Sequence, residues 1–119
     1  MNKKIILFAG IILFSCIKKE TREKPPWLLE RDQMIGFLID LHLAEAKLVK
    51  LGIKKDSTEK LFKAMEQRLF DKHEISDSIY FKSYNYYLED IKEMKEIYVA
   101  VVDSLNVREQ LLKQSKTKK

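Results

Sequence analysis

After Pro26 the chain contains no further proline and only two glycines, Gly36 and Gly52. Proline and glycine most often end helices and form the tight turns that sheets need. Long stretches without them therefore predict long helices. Hydrophobic residues make up 45% of the chain and charged residues 34%, which is enough to build a core and to cover the outside of small helices. We therefore expect a folded domain of the all-α class.

The first predicted helix runs from about Glu30 to Leu51 and is apolar around most of its circumference. Gly52 follows it and can close it with a left-handed cap. A helix of this pattern is typically surrounded by other helices, so we expect it to lie at the centre of the fold. Only a narrow strip is polar, and its residues are Gln33, Gly36, Asp40, Lys47 and Lys50.

The second predicted helix spans about residues 56–72. It is expected to begin with a capping box, in which the Asp56 side chain accepts a backbone N–H and Glu59 reaches back. Its apolar residues recur at helical spacing, while lysine and acidic residues can face water. This pattern predicts a helix that packs one face against the first.

Two more helices complete the prediction. Ser76 is expected to cap a third helix that ends near Leu88, and a fourth helix covers about residues 89–113 with apolar residues at steps of three and four. Four helices with short links favour a small antiparallel bundle over residues 30–113. Residues 114–119 are expected to be a basic, disordered tail.

The N-terminus has the pattern of a bacterial export signal. Lys3 and Lys4 precede ten uncharged residues, 5–14, a run too short to span about 30 Å of hydrocarbon as a helix. It ends in Leu-Phe-Ser-Cys, which resembles the lipoprotein box whose cysteine is acylated, for example with palmitate. We expect residues 1–15 to be a signal peptide and Cys16 to be the lipid anchor. The alternative is an ordinary signal peptide whose cysteine happens to lie at the cleavage site.

Residues 16–29 are expected to form a tether between the lipidated cysteine and the bundle. They are charged and then contain a Pro-Pro pair, which stiffens a chain. Fully extended, the segment would reach about 40 Å. Trp27 can lie at a lipid interface, but packing onto the bundle with Leu28 and Leu29 is the favoured interpretation. Because Cys16 is the only cysteine, no internal disulfide can form and the fold depends on packing.

His42 and Glu45 stand out because both project from the apolar arc of the first helix. They are three residues apart, so their side chains can meet. A buried charged group must find a partner or lose its charge. The favoured interpretation is a structural staple, in which His42 pairs with Glu45 and a hydroxyl of Tyr86 or Tyr87 joins them.

A functional alternative makes His42 and Glu45 metal ligands or an acid–base pair, with His73 as a third ligand. Helical metal sites more often repeat Glu-x-x-His on two helices, and the order here is reversed and occurs once. Asp40 lies on the polar strip, where a solvated or cap-like role is expected. We therefore predict no metal, no cofactor and no catalytic residue.

The third helix is rich in tyrosine. Tyr80, Tyr84 and Tyr87 share one face by spacing, while Tyr86 points elsewhere. Exposed tyrosines often anchor protein interfaces, so these rings could form a docking face. The equal alternative is that all of them close the bundle around the first helix.

Four short segments carry a family resemblance. They are residues 32–46, 72–76, 81–87 and 97–98, and the most specific part is Asp-Leu-His-Leu-Ala-Glu-Ala at residues 40–46. Together they resemble a family of small Bacteroidetes lipoproteins described as domain of unknown function 4296. The resemblance covers about residues 28–105 and implies a helical lipoprotein domain of the cell envelope, with no known activity. The family motif positions carried over are Asp40, His42, Glu45, Tyr86 and Tyr87.

These features favour a noncatalytic function. The sequence offers no convincing nucleophile with a base, no glycine-rich loop and no Cys/His cluster, so we do not expect an enzyme. We expect an accessory or scaffold lipoprotein that acylated Cys16 holds to the membrane and that binds an envelope protein partner. Because Ile17, Lys18 and Lys19 follow Cys16 in place of an acidic cluster, we expect it to face the periplasm from the outer membrane.

Two other functions stay open. A holdase-type chaperone for exported chains is the alternative, and a metal or small-ligand binding domain is less favoured. Nucleic acid is not an expected partner despite a net charge of +5, because an exported protein meets little of it and the charges alternate in sign.

Overall fold

The computed structural model describes residues 22–118, which form four α-helices and no strand. The prediction of a small all-α bundle is confirmed. The predicted signal peptide, Cys16 and the first part of the tether lie outside the described residues. The helices are α1 (Arg31–Leu51), α2 (Lys55–His73), α3 (Asp77–Leu88) and α4 (Ile91–Thr117).

Helix α1 is the centre of the bundle and contacts all three other helices. Its residues Met34, Phe37 and Leu38 are buried, and they share a core with Ile97 and Val101 of α4. The last turn departs from this pattern, since Val49 and Leu51 are 81% and 60% exposed. The prediction of a surrounded helix is therefore correct for most of α1 and wrong at its end, where no described helix covers these side chains.

Helices α1 and α2 run antiparallel. The rings of Phe37 and Phe70 stack with centroids 5.1 Å apart at one end of the pair, and Leu48 and Phe62 line a shared groove at the other. The turn between the helices is made by Gly52, which has a φ of 58° and caps α1 in the left-handed conformation as predicted.

Two helix starts differ from the sequence prediction. Helix α2 begins at Lys55 with Lys54 as its cap residue and no side-chain cap, so the capping box at Asp56 does not form. The link at Gly52 is so short that Asp56 already lies in the first turn of α2. There its negative charge interacts favourably with the positive end of the helix dipole. Helix α1 has a capping box that was not predicted, between Glu30 and Gln33.

Helices α3 and α4 begin at side-chain caps. Ser76 Oγ accepts the backbone N–H of Ile79 at 3.2 Å, as predicted. Asp90 accepts the N–H groups of Lys92 and Glu93 at 3.1 and 3.2 Å. Helix α4 therefore begins two residues later than expected, because Asp90 supplies a cap that ends the preceding turn.

Helix α4 is also longer than predicted. It continues to Thr117, so the expected disordered tail at residues 114–119 is wrong for residues 114–117. Lys113 pairs with Glu109 one turn earlier at 2.7 Å, and the Thr117 hydroxyl donates to the Lys113 carbonyl at 2.9 Å. These local contacts continue the helix although every residue from 106 to 118 is exposed.

The end of the predicted tether is part of the fold. Leu29 is buried against the core. Its N–H donates to Ser83 Oγ at 3.0 Å, and its carbonyl accepts the Tyr87 hydroxyl at 2.7 Å. The favoured interpretation, in which Trp27 packs onto the bundle with Leu28 and Leu29, is therefore confirmed, and the predicted tether does not extend to residue 29. Helix α3 supplies polar partners for the backbone that precedes α1.

Candidate functional site

The predicted pair on α1 forms. His42 Nδ1 lies 2.9 Å from Glu45 Oε2, one helical turn away. The two side chains are 36% and 46% exposed, so the pair is not buried. Water therefore shares in solvating the carboxylate, and the pair can form without any further partner from the core.

The tyrosines expected beside this pair lie elsewhere. The Tyr87 hydroxyl donates to the Leu29 carbonyl, and the Tyr86 hydroxyl lies 3.4 Å from the Glu23 carbonyl. The staple predicted from Tyr86 or Tyr87 is therefore wrong in its tyrosines. Both hydroxyls bind the backbone segment before α1, whose path over α3 cannot be inferred from helical spacing.

The aromatic ring that lies beside His42 is that of Tyr98. The rings of His42 and Tyr98 have centroids 6.2 Å apart, and the hydroxyls of Tyr98 and Tyr84 are 3.1 Å apart. Tyr84 shares its predicted face with Tyr80, so this face turns inward to the bundle. Tyr98 belongs to the motif segment at residues 97–98, but its place beside His42 depends on the register of α4 against α1, which is a tertiary feature.

The hydroxyls of Tyr98 and Tyr80 hold their protons tightly. Burial raises the pKa of Tyr98 above its ordinary value, and the hydrogen bond with Tyr84 adds to the rise. Burial likewise raises the pKa of Tyr80 to about 12, with further contributions from Tyr84, Glu66 and Glu45. The hydroxyls are therefore neutral at physiological pH and are suited to hydrogen bonding, not to acting as a base.

Asp40 forms a second polar centre. Its Oδ2 accepts Lys72 Nζ at 2.7 Å and His73 Nε2 at 2.8 Å, while Arg108 lies 4.0 Å from Oδ1. The Asp40 side chain is only 17% exposed, so the expectation of a solvated residue is wrong. The polar strip of α1 faces α2 and α4 at this point, because cationic side chains from both helices reach it.

His73 belongs to the Asp40 centre and not to the His42 pair, so the predicted ligand set of His42, Glu45 and His73 does not come together. At about 100° per residue, Asp40 and His42 point to sides of α1 that are about 160° apart. Among residues 22–118 no group of three His, Cys, Asp or Glu side chains could hold a metal ion.

The environment of Asp40 fixes its charge. Burial by itself would raise the pKa of Asp40, but the hydrogen bonds from Lys72 and His73 outweigh burial and hold the pKa below its ordinary value of 3.8. The carboxylate is therefore ionised at neutral pH, with both donors in place. This arrangement joins α1 to α2 and brings Arg108 of α4 close.

The far half of α4 exposes apolar side chains that the sequence pattern did not predict to be exposed. We call Val107, Leu111 and Leu112 the distal face; these side chains are 55%, 59% and 63% exposed. Of these, Leu112 was expected to belong to the core-facing stripe of the fourth helix. In the structure the stripe ends at the half-buried Leu105, because the other helices do not extend beside the rest of α4.

Within the described part of the chain, none of the helices has the combination of length and apolarity needed to cross a membrane.

Comparison with known proteins assigns the family. No curated protein and no solved structure matches the chain. Residues 25–110 match a family described as a domain of unknown function, DUF4296. The match begins at the segment that packs before α1, includes the Asp40 and His42 centres, and ends in the far half of α4. The chain therefore belongs to the DUF4296 family.

Proposed function

We propose that this protein is a noncatalytic lipoprotein of the Bacteroidetes cell envelope that acts as a scaffold for an envelope protein partner. Export and anchoring are supported by the apolar run at residues 5–14 and by Cys16, which follows it directly. The residues after Cys16 are basic, which favours the periplasmic side of the outer membrane. The helical domain is then the part that meets the partner.

The observation that carries this proposal is the distal face of α4. Val107 and Leu111 are four residues apart and share one side of the helix, while Leu112 projects about 100° further round the axis. Residues 109–118 are exposed among the residues that the structure describes, so the end of this 27-residue helix gains stability when a partner covers its apolar side. Exposed apolar residues grouped in this way are typical of protein interaction sites.

The charges around the distal face indicate the chemistry of the partner. Arg108, Lys113, Lys116 and Lys118 are basic, and Glu109 is the only acidic residue from 106 to 118. Glu109 pairs with Lys113 at 2.7 Å. The partner is therefore expected to present an apolar strip with acidic side chains at its edges, because complementary charge raises the association rate and suppresses wrong partners.

The polar centres support a noncatalytic role. Asp40 is satisfied by Lys72 and His73, and His42 is paired with Glu45. The tyrosine hydroxyls nearest to His42 stay protonated at neutral pH. Because cationic donors engage its carboxylate, Asp40 is better suited to holding the helices together than to acting as a base or nucleophile.

The test is in-cell crosslinking of the full protein followed by mass spectrometry. The wild type is expected to give one dominant protein partner. The double variant Leu111→Glu, Leu112→Glu should lose it, because both side chains are exposed and the substitution opposes apolar contact without disturbing the core. A matched control is Val49→Glu, which changes an exposed valine at the end of α1 and should keep the partner.

A second variant separates the polar pair from binding. His42→Ala combined with Glu45→Ala removes the half-exposed pair. If this variant folds and keeps the partner, the pair is structural. If this variant loses the partner while the distal-face variant keeps it, the distal face is not the binding surface and the proposal is wrong on that point.

The competing function is a holdase for exported chains. It is favoured by apolar residues outside the distal face: Val49 lines a groove of about 330 Å³ together with Leu48 and Phe62, and Ile53 is 41% exposed nearby. A holdase binds many unfolded chains without sequence preference. Crosslinking to many unrelated exported proteins, equally reduced by Val49→Glu and by the distal-face variant, would support it against the scaffold.

A further inference from the structure

The chain leaves the described fold beside the turn between α3 and α4. Arg22, the first described residue, packs its guanidinium over the Tyr86 ring with its carbon 4.0 Å from the ring centroid. The guanidinium also donates to the Tyr86 carbonyl at 3.2 Å and pairs with the Glu89 carboxylate. These contacts fix the point from which the remaining chain runs to Cys16.

This point is close to the proposed lipid anchor. Only five residues lie between Cys16 and Arg22, and the six steps from one to the other span at most about 20 Å when fully extended. The sequence alone suggested a tether twice as long. Because residues before α1 pack on α3, the anchor would hold the domain within a few tens of ångströms of the bilayer surface. The end of the domain nearest to the anchor is the turn between α3 and α4.

The surface at that end is apolar and aromatic. Trp27 is 39% exposed and meets Tyr86 edge to face, with ring centroids 6.4 Å apart. Ile91 lies at the adjoining turn, lines a shallow groove with Arg22 and Glu89, and is 79% exposed. We call Trp27, Tyr86 and Ile91 the tether end. Tryptophan and tyrosine are the side chains most enriched where hydrocarbon meets water in membranes.

The charges at the tether end do not oppose contact with lipid. Arg22 neutralises Glu89, and the Asp90 carboxylate is engaged by the first N–H groups of α4. An anchor also keeps the domain at a high effective concentration near the surface, so even weak apolar contacts become occupied. Exposed apolar residues, neutralised charge and a short link therefore coincide at one end of the molecule.

We propose that the tether end rests on the lipid surface that holds Cys16, with Trp27 and Ile91 in the interfacial layer. This inference rests on the proposed lipid anchoring. It adds an orientation to the scaffold function, because α4 begins at Ile91 and its 27 residues span about 40 Å. The distal face lies at the other end of that helix, so the lipid and the protein partner can be bound at the same time.

The test uses Trp27 as a reporter, since it is the only tryptophan in the chain. The full lipidated protein is reconstituted in phosphatidylethanolamine and phosphatidylglycerol vesicles, with and without bromine on the acyl chains. Bromine quenches tryptophan fluorescence at short range, so the inference predicts at least a twofold loss of Trp27 emission in the brominated vesicles.

Two variants give the matched comparison. Ile91→Glu places a charge at the tether end and should restore at least half of the lost emission. It is expected to fold, because Ile91 is 79% exposed and acidic residues are favourable in the first turn of a helix. Val49→Glu, at an equally exposed valine of α1, should leave the quenching unchanged.

Flotation of the vesicles separates the two proposals. Protein that floats but shows equal Trp27 emission in both kinds of vesicle would overturn the orientation and leave the anchor standing. The same holds if Val49→Glu reduces quenching as much as Ile91→Glu. Protein that does not float would overturn the lipid anchoring, and the orientation with it.

Discussion

Leu29 shows at the scale of single residues how a segment outside the helices becomes part of the fold. Its backbone N–H and carbonyl are both bonded to side chains of α3, namely Ser83 and Tyr87. Buried backbone groups need such partners. These partners could not be predicted, because a hydrogen bond from a side chain to a distant backbone leaves no periodic pattern in the sequence. Tyr87 was therefore assigned to the wrong partner.

Replacement of Tyr87 by phenylalanine should lower the free energy of unfolding by about 1–3 kcal/mol, because the buried Leu29 carbonyl would lose its donor. Urea unfolding followed by circular dichroism measures the change. Tyr86→Phe is the control, since its hydroxyl makes only a 3.4 Å contact at an exposed site, and it should change stability by less than about 0.5 kcal/mol. Equal losses in the two variants would contradict the assignment.

Asp40 provides a prediction about pH. Because the folded state holds its pKa below 3.8, the ionised form contributes stability that is fully present above pH 3.8. This contribution declines as the pH falls below 3.8 and through the lower pKa of the folded state. Asp40→Asn should therefore be less stable than the wild type at pH 7, and the gap should narrow under acid. Urea midpoints of both proteins, measured from pH 7 to below pH 3.8, give this difference in stability. A difference that stays constant over these pH values would refute the role of the Asp40 charge.

At the scale of helices, the sequence predicted those helix ends that depend on a single capping residue. Ser76 and Gly52 were both recognised, because a cap and a left-handed turn need particular residue types. The start of α2 was misplaced because Asp56 is an equally good residue for the first turn. The end of α4 was misplaced because its continuation depends on side-chain contacts within the helix, such as Lys113 with Glu109, whose effect was underestimated.

The two glycines of the bundle should respond in opposite ways to alanine. Gly36 lies inside α1, and a new Cβ there would meet the His73 ring at an ordinary 3.8 Å, so Gly36→Ala should raise stability by about 0.5–1 kcal/mol. Gly52 has open space around it but a φ of 58°, so Gly52→Ala should lower stability by about 1 kcal/mol. Thermal unfolding of both variants measures this, and the same sign for both would show that the assigned backbone conformations are wrong.

At the scale of the whole molecule, the sequence predicted a central apolar helix but not its surroundings. His42 and Glu45 met as their spacing required. Their tyrosine neighbour and the partners of Asp40 come from α2 and α4, whose packing angles are set by the complete core. The distal face was missed for the same reason, because a periodic apolar stripe does not state where its packing partners end.

Removal of residues 109–119 tests whether the far half of α4 serves the fold or a partner. Because this stretch is exposed throughout its described length, its loss should change the free energy of unfolding by less than about 0.5 kcal/mol. Chemical unfolding of the shortened and the full chain measures the difference. A loss of several kcal/mol would mean that these turns stabilise the bundle and are not reserved for a partner.

The most direct measurement of the scaffold function is photo-crosslinking in living cells with a photoreactive side chain at Leu111. The matched probe is at Val49, another exposed apolar position on a different helix. We predict one dominant protein adduct from Leu111 and none of that mass from Val49. If Leu111 gives no protein adduct, or if both positions give the same broad set of adducts, the distal face is not the binding surface of a specific partner.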